Sequence, residues 1–209
     1  MTAAYQPSML DLAADGPSLG PLAGLRRHPL SRGAWVDHLP GWVRGSDAVL
    51  DTLLADVPWR AERRTMYDAQ VDVPRLLCWY AGHRALPHPL LTEARAALTA
   101  HYAPELGEPF VTAGMCLYRD GRDSVAWHGD TLGRSAHTDT MVAIVSFGSP
   151  RPLLLRPRGG GAGHRFPLGH GDLVVMGGSC QRTWEHAIPK TARPVGPRVS
   201  VQFRPAGVA

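Results

Sequence analysis

The chain has 209 residues, enough for one domain or for one domain with an additional segment. Charged residues make up 19% and hydrophobic residues 44%. That balance belongs to a folded chain rather than a disordered one, and no apolar run reaches the ~18–20 residues of a membrane span. The formal charge is +4 with an isoelectric point near 9.3, and Lys190 is the only lysine, so the basicity is arginine. A GC-rich genome accounts for this as well as a preference for phosphates does.

Cys78, Cys116 and Cys180 are scattered and form no CxxC pair, which argues against a disulfide framework or a structural zinc site. Met1–Gly20 lacks the basic start and apolar core of a secretory signal, so a cytoplasmic location is expected. Residues 1–30, rich in Ala, Pro, Gly and Leu without clear period, read as an irregular arm, and residues 31–209 as the folded domain. Ala34–Val43 reads as a short strand and turn. Ser46 is placed as the N-cap of a helix running to about Ala55, with Val49, Leu50, Leu53 and Leu54 on its apolar face and Pro58 closing it. Arg60–Gly82 is basic and then aromatic, with turn residues and no helical period, which predicts short strands and loops. Pro89–Tyr102 predicts a second helix, with Leu91, Ala94, Leu98 and Tyr102 on one face and Pro104 ending it.

From Phe110 the texture becomes β. Met115–Tyr118, Met141–Phe147, Pro152–Arg156, Asp172–Met176, Arg182–His186 and Arg198–Arg204 are the strand candidates, with Gly, Pro and Asp clustered between them. The Gly159–Gly163 run lacks the Gly-Lys-Ser/Thr ending of a phosphate loop and reads as a flexible hairpin tip. Short strands following two helices predict a mainly β, α+β domain: an antiparallel sandwich or jelly roll with helices packed outside.

Two histidines and one carboxylate are the donor set of a facial Fe(II) site that leaves metal positions open for O2 and a co-substrate. His128 and Asp130, in Trp127-His128-Gly129-Asp130, would project to one side of an extended segment. His186 would complete the set from a distant strand. The plain alternative is that these are surface or hydrogen-bonded residues. A second HxD, His137-Thr138-Asp139, is disfavoured by context, because it leads directly into the Met141–Phe147 strand as an exposed entry turn. In Arg198–Arg204, Val199, Val201 and Phe203 alternate with Arg198, Ser200, Gln202 and Arg204. The polar face is either a solvent-facing edge or the wall of a polar cavity. In the cavity its arginines would pair with a dicarboxylate and with the metal-site carboxylate.

Taken in order, these motifs resemble the AlkB family of Fe(II)- and 2-oxoglutarate-dependent dioxygenases. The family pattern is Asn-x-Tyr, HxD, a distal His and Arg-x-Asn-x-Thr-x-Arg. Cys116-Leu-Tyr118, His128-Gly-Asp130, His186 and Arg198-x-Ser200-x-Gln202-x-Arg204 stand at those places. The stretches YRDGRDSVAWHGD, VSFGSPR and PLGHGDLVVMGG also look like the family, and the resemblance spans roughly residues 60–204.

The resemblance implies a double-stranded β-helix, with Fe(II) on His128, Asp130 and His186 and with 2-oxoglutarate and O2 as co-substrates. It implies that Arg198 binds the distal carboxylate of 2-oxoglutarate, that Tyr118 hydrogen-bonds the same molecule, and that Arg204 supports the metal end. Cys116 and Ser200 fall in the co-substrate pocket where the family has Asn. Leu132 stands where many nucleobase demethylases carry an acidic residue. The resemblance also implies a nucleotide-recognition lid at about residues 60–82. Tyr67 and Tyr80, with Trp79 beside them, would meet the base, and Arg63, Arg64, Arg119 and Arg122 would meet phosphates. Core packing is the alternative for the aromatics and a solvated surface for the arginines.

The implied activity is oxidative demethylation of alkylated bases in DNA, such as N1-methyladenine or N3-methylcytosine, on a flipped-out base. The alternatives are the same iron chemistry on RNA, a protein side chain or a small molecule, to which Leu132 points, and a non-catalytic jelly-roll binding module. No membrane association and no obligate protein partner are expected.

Overall fold

The computed structural model describes residues 16–66, 69–131 and 133–208. In chain order the elements are β1 (Ser18–Leu19), β2 (Arg26–Pro29), β3 (Ala34–Leu39), β4 (Val43–Arg44), α1 (Ser46–Asp56), β5 (Arg60–Met66), β6 (Ala69–Tyr80), α2 (Pro89–Leu106), β7 (Thr112–Tyr118), β8 (Val125–His128), β9 (Val142–Gly148), β10 (Arg151–Pro157), β11 (His164–Leu168), β12 (Asp172–Gly178), α3 (Cys180–Thr183), β13 (Trp184–Ile188) and β14 (Arg198–Arg204). A large antiparallel sheet runs β2-β3-β12-β9-β14-β7-β6-β5, and a smaller one runs β11-β10-β13-β8. α1 and α2 cover one face of the large sheet and the small sheet covers the other. This is the mainly β, jelly-roll architecture expected from the strand pattern.

Strand alternation builds both layers. On the helix side, Val199, Val201 and Phe203 of β14 join Met115, Val145, Phe147 and Val175, together with Leu50 and Leu53 of α1 and Leu91 and Leu98 of α2. On the other side, Val142, Ile144, Val174 and Met176 meet Leu153, Leu155, Phe166 and Trp184 of the small sheet. Because β14 lies between β9 and β7, Arg198–Arg204 is a central strand and not a solvent-facing edge. Among the described residues no helix is long and apolar enough to cross a membrane.

Several boundaries differ from the sequence reading, each for a local reason. Gly45, at φ 62°, takes the N-cap position of α1, and Ser46 instead donates its hydroxyl back to the Val43 carbonyl at 2.7 Å. α2 runs through Pro104 to Leu106. A proline in the last turn removes only one bond, and the helix ends where Gly107 adopts φ 72° and donates its N–H to Ala103. Arg182 and Thr183 belong to the short helix α3, and the strand begins at Trp184. Arg60–Met66 and Ala69–Tyr80 form two long paired strands rather than short ones. Of the stretch read as an irregular arm, Arg26–Pro29 pairs with β3 as an edge strand. The glycine run is the tip of the β10–β11 hairpin, with positive φ at Gly159, Gly160 and Gly161.

A charged knot ties the first strands to α2. Asp37, 3% exposed, accepts from Arg27 Nε and Nη2 at 2.8 Å each and from the Tyr102 hydroxyl at 2.9 Å. Arg27 also reaches Glu105 on α2 and lies 3.6 Å above the Trp35 ring. Tyr102→Phe removes one donor from a buried carboxylate that keeps its arginine. It is expected to lower unfolding stability by about 1–2 kcal/mol in urea titration, and an unchanged midpoint would contradict the role given to this knot.

Candidate active site

β8 and β13 are hydrogen-bonded neighbours, and their register sets His186 opposite His128, with the two rings 4.2 Å apart. Asp130 follows β8 after Gly129. A Cβ at Gly129 would stand 2.5 Å from the Gln181 carbonyl and 2.6 Å from Arg158 Nη2, so only glycine lets the chain pass here. The Asp130 N–H then donates to the Gln181 side chain at 3.0 Å. The ligand atoms of His128, Asp130 and His186 lie within 4.8 Å of one another. His128 Nδ1 is 2.9 Å from the Ala126 carbonyl, which can only accept, so the proton belongs on Nδ1 and Nε2 keeps its lone pair. Nε2 in turn lies 3.6 Å from Asp130 Oδ1.

The electrostatics match ligand duty. Burial alone would push the Asp130 carboxyl up. The Arg204 guanidinium and then the two imidazoles outweigh it and hold the group well below the usual carboxylate range. Arg204 grips Asp130 Oδ2 through Nε at 3.0 Å and Nη2 at 2.7 Å. Burial, and then His128, push His186 down to about 3 against the pull of Asp130. At neutral pH the cluster therefore offers a carboxylate and a neutral imidazole, the forms that bind a metal.

At the other end of the same cavity Arg198 is 1% exposed. Its Nε donates to Ser146 at 2.9 Å, while its Nη1 is buried without a partner. A buried guanidinium nitrogen left open is costly unless a ligand completes it. Tyr118 lies beneath it, with the guanidinium carbon 5.1 Å from the ring. Burial, and then Cys116, push the Tyr118 hydroxyl up to about 12, although Arg198, Arg75 and Arg151 pull the other way, so it stays protonated. On the floor between the two ends, Gln202 Nε2 donates to Ser200 Oγ at 2.5 Å, and Cys116 Sγ is 3.8 Å from Gln202 Oε1.

The enclosing cavity measures about 490 Å3. Ile144, Leu153, Leu168 and Ile188 form its apolar walls, and exposed Arg60, Glu62, Trp79 and Arg84 stand at its mouth. Trp79 is 43% exposed, and the Arg204 guanidinium lies 5.9 Å from its ring. Tyr80 is a core residue and not a cavity wall, which corrects its reading as a base contact. β6 alternates, so Trp79, paired with Gly114, faces the cavity, while Tyr80, paired with Ala113, faces the helices.

Arg63 pairs with Asp72 at 2.7 Å on the exposed β5–β6 hairpin. Arg64 pairs with Val71 along the same ladder. Arg119 forks onto Asp123 at 2.8 Å, and Arg122 binds Asp120 at 2.7 Å. Neither lines the cavity, and each is neutralised within its own loop. Tyr67 and Leu132 lie outside the described residues. In the second HxD, Asp139 is engaged by Arg182 at the surface.

Three supporting residues escaped the sequence reading. Gln181 holds the Asp130 backbone, and nothing in its neighbourhood marks it. Arg75 lines the cavity with a buried Nε lacking a partner. Arg151, in the VSFGSPR stretch, is 2% exposed and donates to the carbonyls of Asp120, Asp123 and Pro189, stapling the loops beside Tyr118. Three outward carbonyls converging on one arginine leave no trace in a sequence.

Two outcomes follow for metal binding, read by equilibrium dialysis with Mn(II). His128→Ala is expected to abolish binding while His137→Ala leaves it intact, and the reverse would move the site to the second HxD. Arg204→Gln removes the group that holds Asp130 ionised, so its carboxyl rises and protons compete with the metal at higher pH. The acid limb of binding should therefore move up the pH scale, and an unmoved limb would deny Arg204 this role.

Residues 37–204 match the 2OG-Fe(II) oxygenase superfamily. The chain is 32% identical over 192 residues to human "Alpha-ketoglutarate-dependent dioxygenase alkB homolog 3", covering 79% of this chain and 64% of that protein. It is 28% identical over 192 residues to "DNA oxidative demethylase ALKBH2" of Arabidopsis thaliana, covering 74% and 60%. It thus spans a little under two thirds of these relatives. A prolyl-4-hydroxylase from Pseudomonas putida shares the fold with a TM-score of 0.57 at 18% identity, over 82% of this chain and 93% of that one. The chain belongs to the 2OG-Fe(II) oxygenase superfamily and is AlkB-like within it.

Proposed function

We propose that the protein is an Fe(II)- and 2-oxoglutarate-dependent dioxygenase that demethylates alkylated bases of nucleic acid, with damaged DNA as its substrate. One observation carries the reading. A single cavity holds the His128–Asp130–His186 cluster and the unpartnered Nη1 of Arg198 at its depth, and opens at Trp79, Arg60 and Arg84. Its volume falls in the ~300–1,000 Å3 range of small-molecule sites.

The donor set fits the metal. Two imidazoles and one carboxylate suit Fe(II), and the open guanidinium nitrogen suits a carboxylate of the co-substrate. Fe(II) held there, with 2-oxoglutarate and O2, supplies hydroxylation of an alkyl C–H bond. The substrate N–CH3 becomes N–CH2OH with one oxygen atom of O2. The other atom goes to succinate as 2-oxoglutarate loses CO2. The carbinol C–N bond then breaks, leaving N–H and releasing formaldehyde.

The chain's own residues do the rest. Arg204 keeps Asp130 charged and aimed. Arg198 orients the dicarboxylate, with Tyr118 beneath it as a protonated donor. The apolar walls keep bulk water from the reacting atoms. Trp79 offers an aromatic face for a base, and Arg60 and Arg84 offer positive charge to the flanking phosphates. The relatives named as alkB homolog 3 and DNA oxidative demethylase support a nucleic-acid substrate. The apolar Leu132 beside the HxD favours a second reading, the same chemistry on RNA, a protein side chain or a small molecule.

The test is turnover of single- and double-stranded oligonucleotides carrying N1-methyladenine or N3-methylcytosine, following succinate and base identity. Loss of methyl with matching succinate is expected. Succinate with the methyl retained would sink the nucleobase reading. Arg198→Gln should cost at least a hundredfold in kcat/KM for 2-oxoglutarate while Mn(II) affinity holds. Trp79→Ala should raise KM for the oligonucleotide by about five- to a hundredfold, the worth of one stacked base. An unchanged KM would remove Trp79 from the substrate site.

A further inference from the structure

Strand β8 carries much of the metal cluster on a slender attachment. It has four residues, Val125–His128, and lies at the end of the small sheet. Its ladder to β13 pairs His128 with His186 and Val125 with Ile188, with an irregularity between them. The strand must nevertheless hold His128, and Asp130 just beyond it, against His186. A short edge strand paired on one side only is the kind of element that opens locally.

Successive residues of a strand point to opposite faces, so the residue before each histidine faces away from the cavity. Trp127 precedes His128, and Glu185 precedes His186; neither lines the cavity. Arg156 of β10 stands opposite Glu185, next to the pair of Leu155 with His186. Its Nε and Nη2 donate to Glu185 Oε2 at 3.0 and 2.9 Å. Its guanidinium carbon lies 4.2 Å from the centre of the Trp127 ring. One side chain rooted in β10 thus crosses β13 and lands on β8, tying three strands together behind the two histidines. The contact also accounts for Trp127 itself. It is 36% exposed, and among the described residues it and Trp79 are the large apolar side chains at the surface. Trp79 stands at the cavity mouth, whereas Trp127 is the platform for Arg156.

We propose that Arg156 is a positioning residue for the metal site: stacked on Trp127 and anchored by Glu185, it clamps β8 to the small sheet from outside and keeps His128 within reach of the ion. This rests on the reading of His128, Asp130 and His186 as metal ligands. Arg156 acts through the strand, since it does not line the cavity. A guanidinium suits the task because its flat face can stack on an indole while its edge forks onto a carboxylate. Without the clamp, β8 is in its closed position for a smaller fraction of the time, and the affinity for the ion falls by that fraction.

The experiment is Mn(II) binding to the full-length protein, read from the paramagnetic resonance signal of the free ion, beside the melting temperatures of the metal-free and Mn(II)-saturated forms. An exposed cation–π contact corresponds to about two- to fivefold in an equilibrium constant. Arg156→Met, which keeps a long side chain and loses the charge, should weaken Mn(II) binding by about that factor. Trp127→Leu should weaken it as much, and the double variant no more than either single one, because both remove the same contact. Arg156→Lys should recover part of the loss. Arg122→Met, which breaks an exposed pair with Asp120 away from the cavity, should bind Mn(II) like the parent. A clamp that only stabilises the fold would lower both melting temperatures equally and leave Mn(II) affinity unchanged. That result overturns the proposal, as do additive losses in the double variant. Should Trp127→Leu fail to fold, Glu185→Gln, which frees the guanidinium from its anchor, carries the same comparison with Arg156→Met. A parent that binds no Mn(II) contradicts the metal site itself, and this inference falls with it.

Discussion

The site depends on one buried ion pair, Arg204 with Asp130. Both are nearly solvent-free, at 9% and 7% exposed, and they come from opposite layers. Arg204 ends the central strand of the large sheet, and Asp130 hangs from the end of a strand in the small one. Desolvating such a pair costs several kcal/mol, and packed hydrophobic residues would often serve stability better. What the pair provides is a carboxylate that stays charged although buried, the form in which it can hold a divalent cation. The surroundings are arranged to permit it. Gly114 leaves room for the guanidinium, the Trp79 ring covers it, and Gln181 fixes the aspartate backbone from behind.

The same strand separates stability from chemistry. Val199, Val201 and Phe203 are fully buried among the helices and the large sheet, while Arg198, Ser200, Gln202 and Arg204 form the cavity floor. Here the sheet is covered on both sides at β14, on one side by an apolar core and on the other by the polar cavity. The position of β14 between β9 and β7 is therefore a condition for the site as much as for the fold. The small sheet closes the cavity and carries the two histidines opposite each other, so layer packing and metal geometry are set together.

Much of this was legible in the amino-acid sequence because it is periodic. Alternation in Arg198–Arg204 announced a two-faced strand, and HxD followed by a distal histidine announced a facial donor set. What periodicity could not decide was which environment the polar face would meet, since a solvent edge and a cavity wall require the same pattern. Trp79 and Tyr80 show the limit from another side. Two adjacent aromatics necessarily face opposite ways on a strand, and only the register with Gly114 and Ala113 says which one reaches the cavity. Arg151 and Gln181 were silent because their partners are backbone groups, the carbonyls of Asp120, Asp123 and Pro189 and the N–H of Asp130, which any residue could supply.

The central claim is that one cavity holds the metal on His128, Asp130 and His186 and a dicarboxylate reaching from it to Arg198. Anaerobic titration of 2-oxoglutarate into the Fe(II)-loaded protein, followed by visible absorption, tests it directly. A 2-oxo acid that chelates Fe(II) gives a metal-to-ligand charge-transfer band. The account predicts that the band grows to saturation at one equivalent in the parent, needs far higher concentrations in Arg198→Gln, and is absent in Asp130→Ala. No band in the parent, or the same titration curve with and without Arg198, would contradict it.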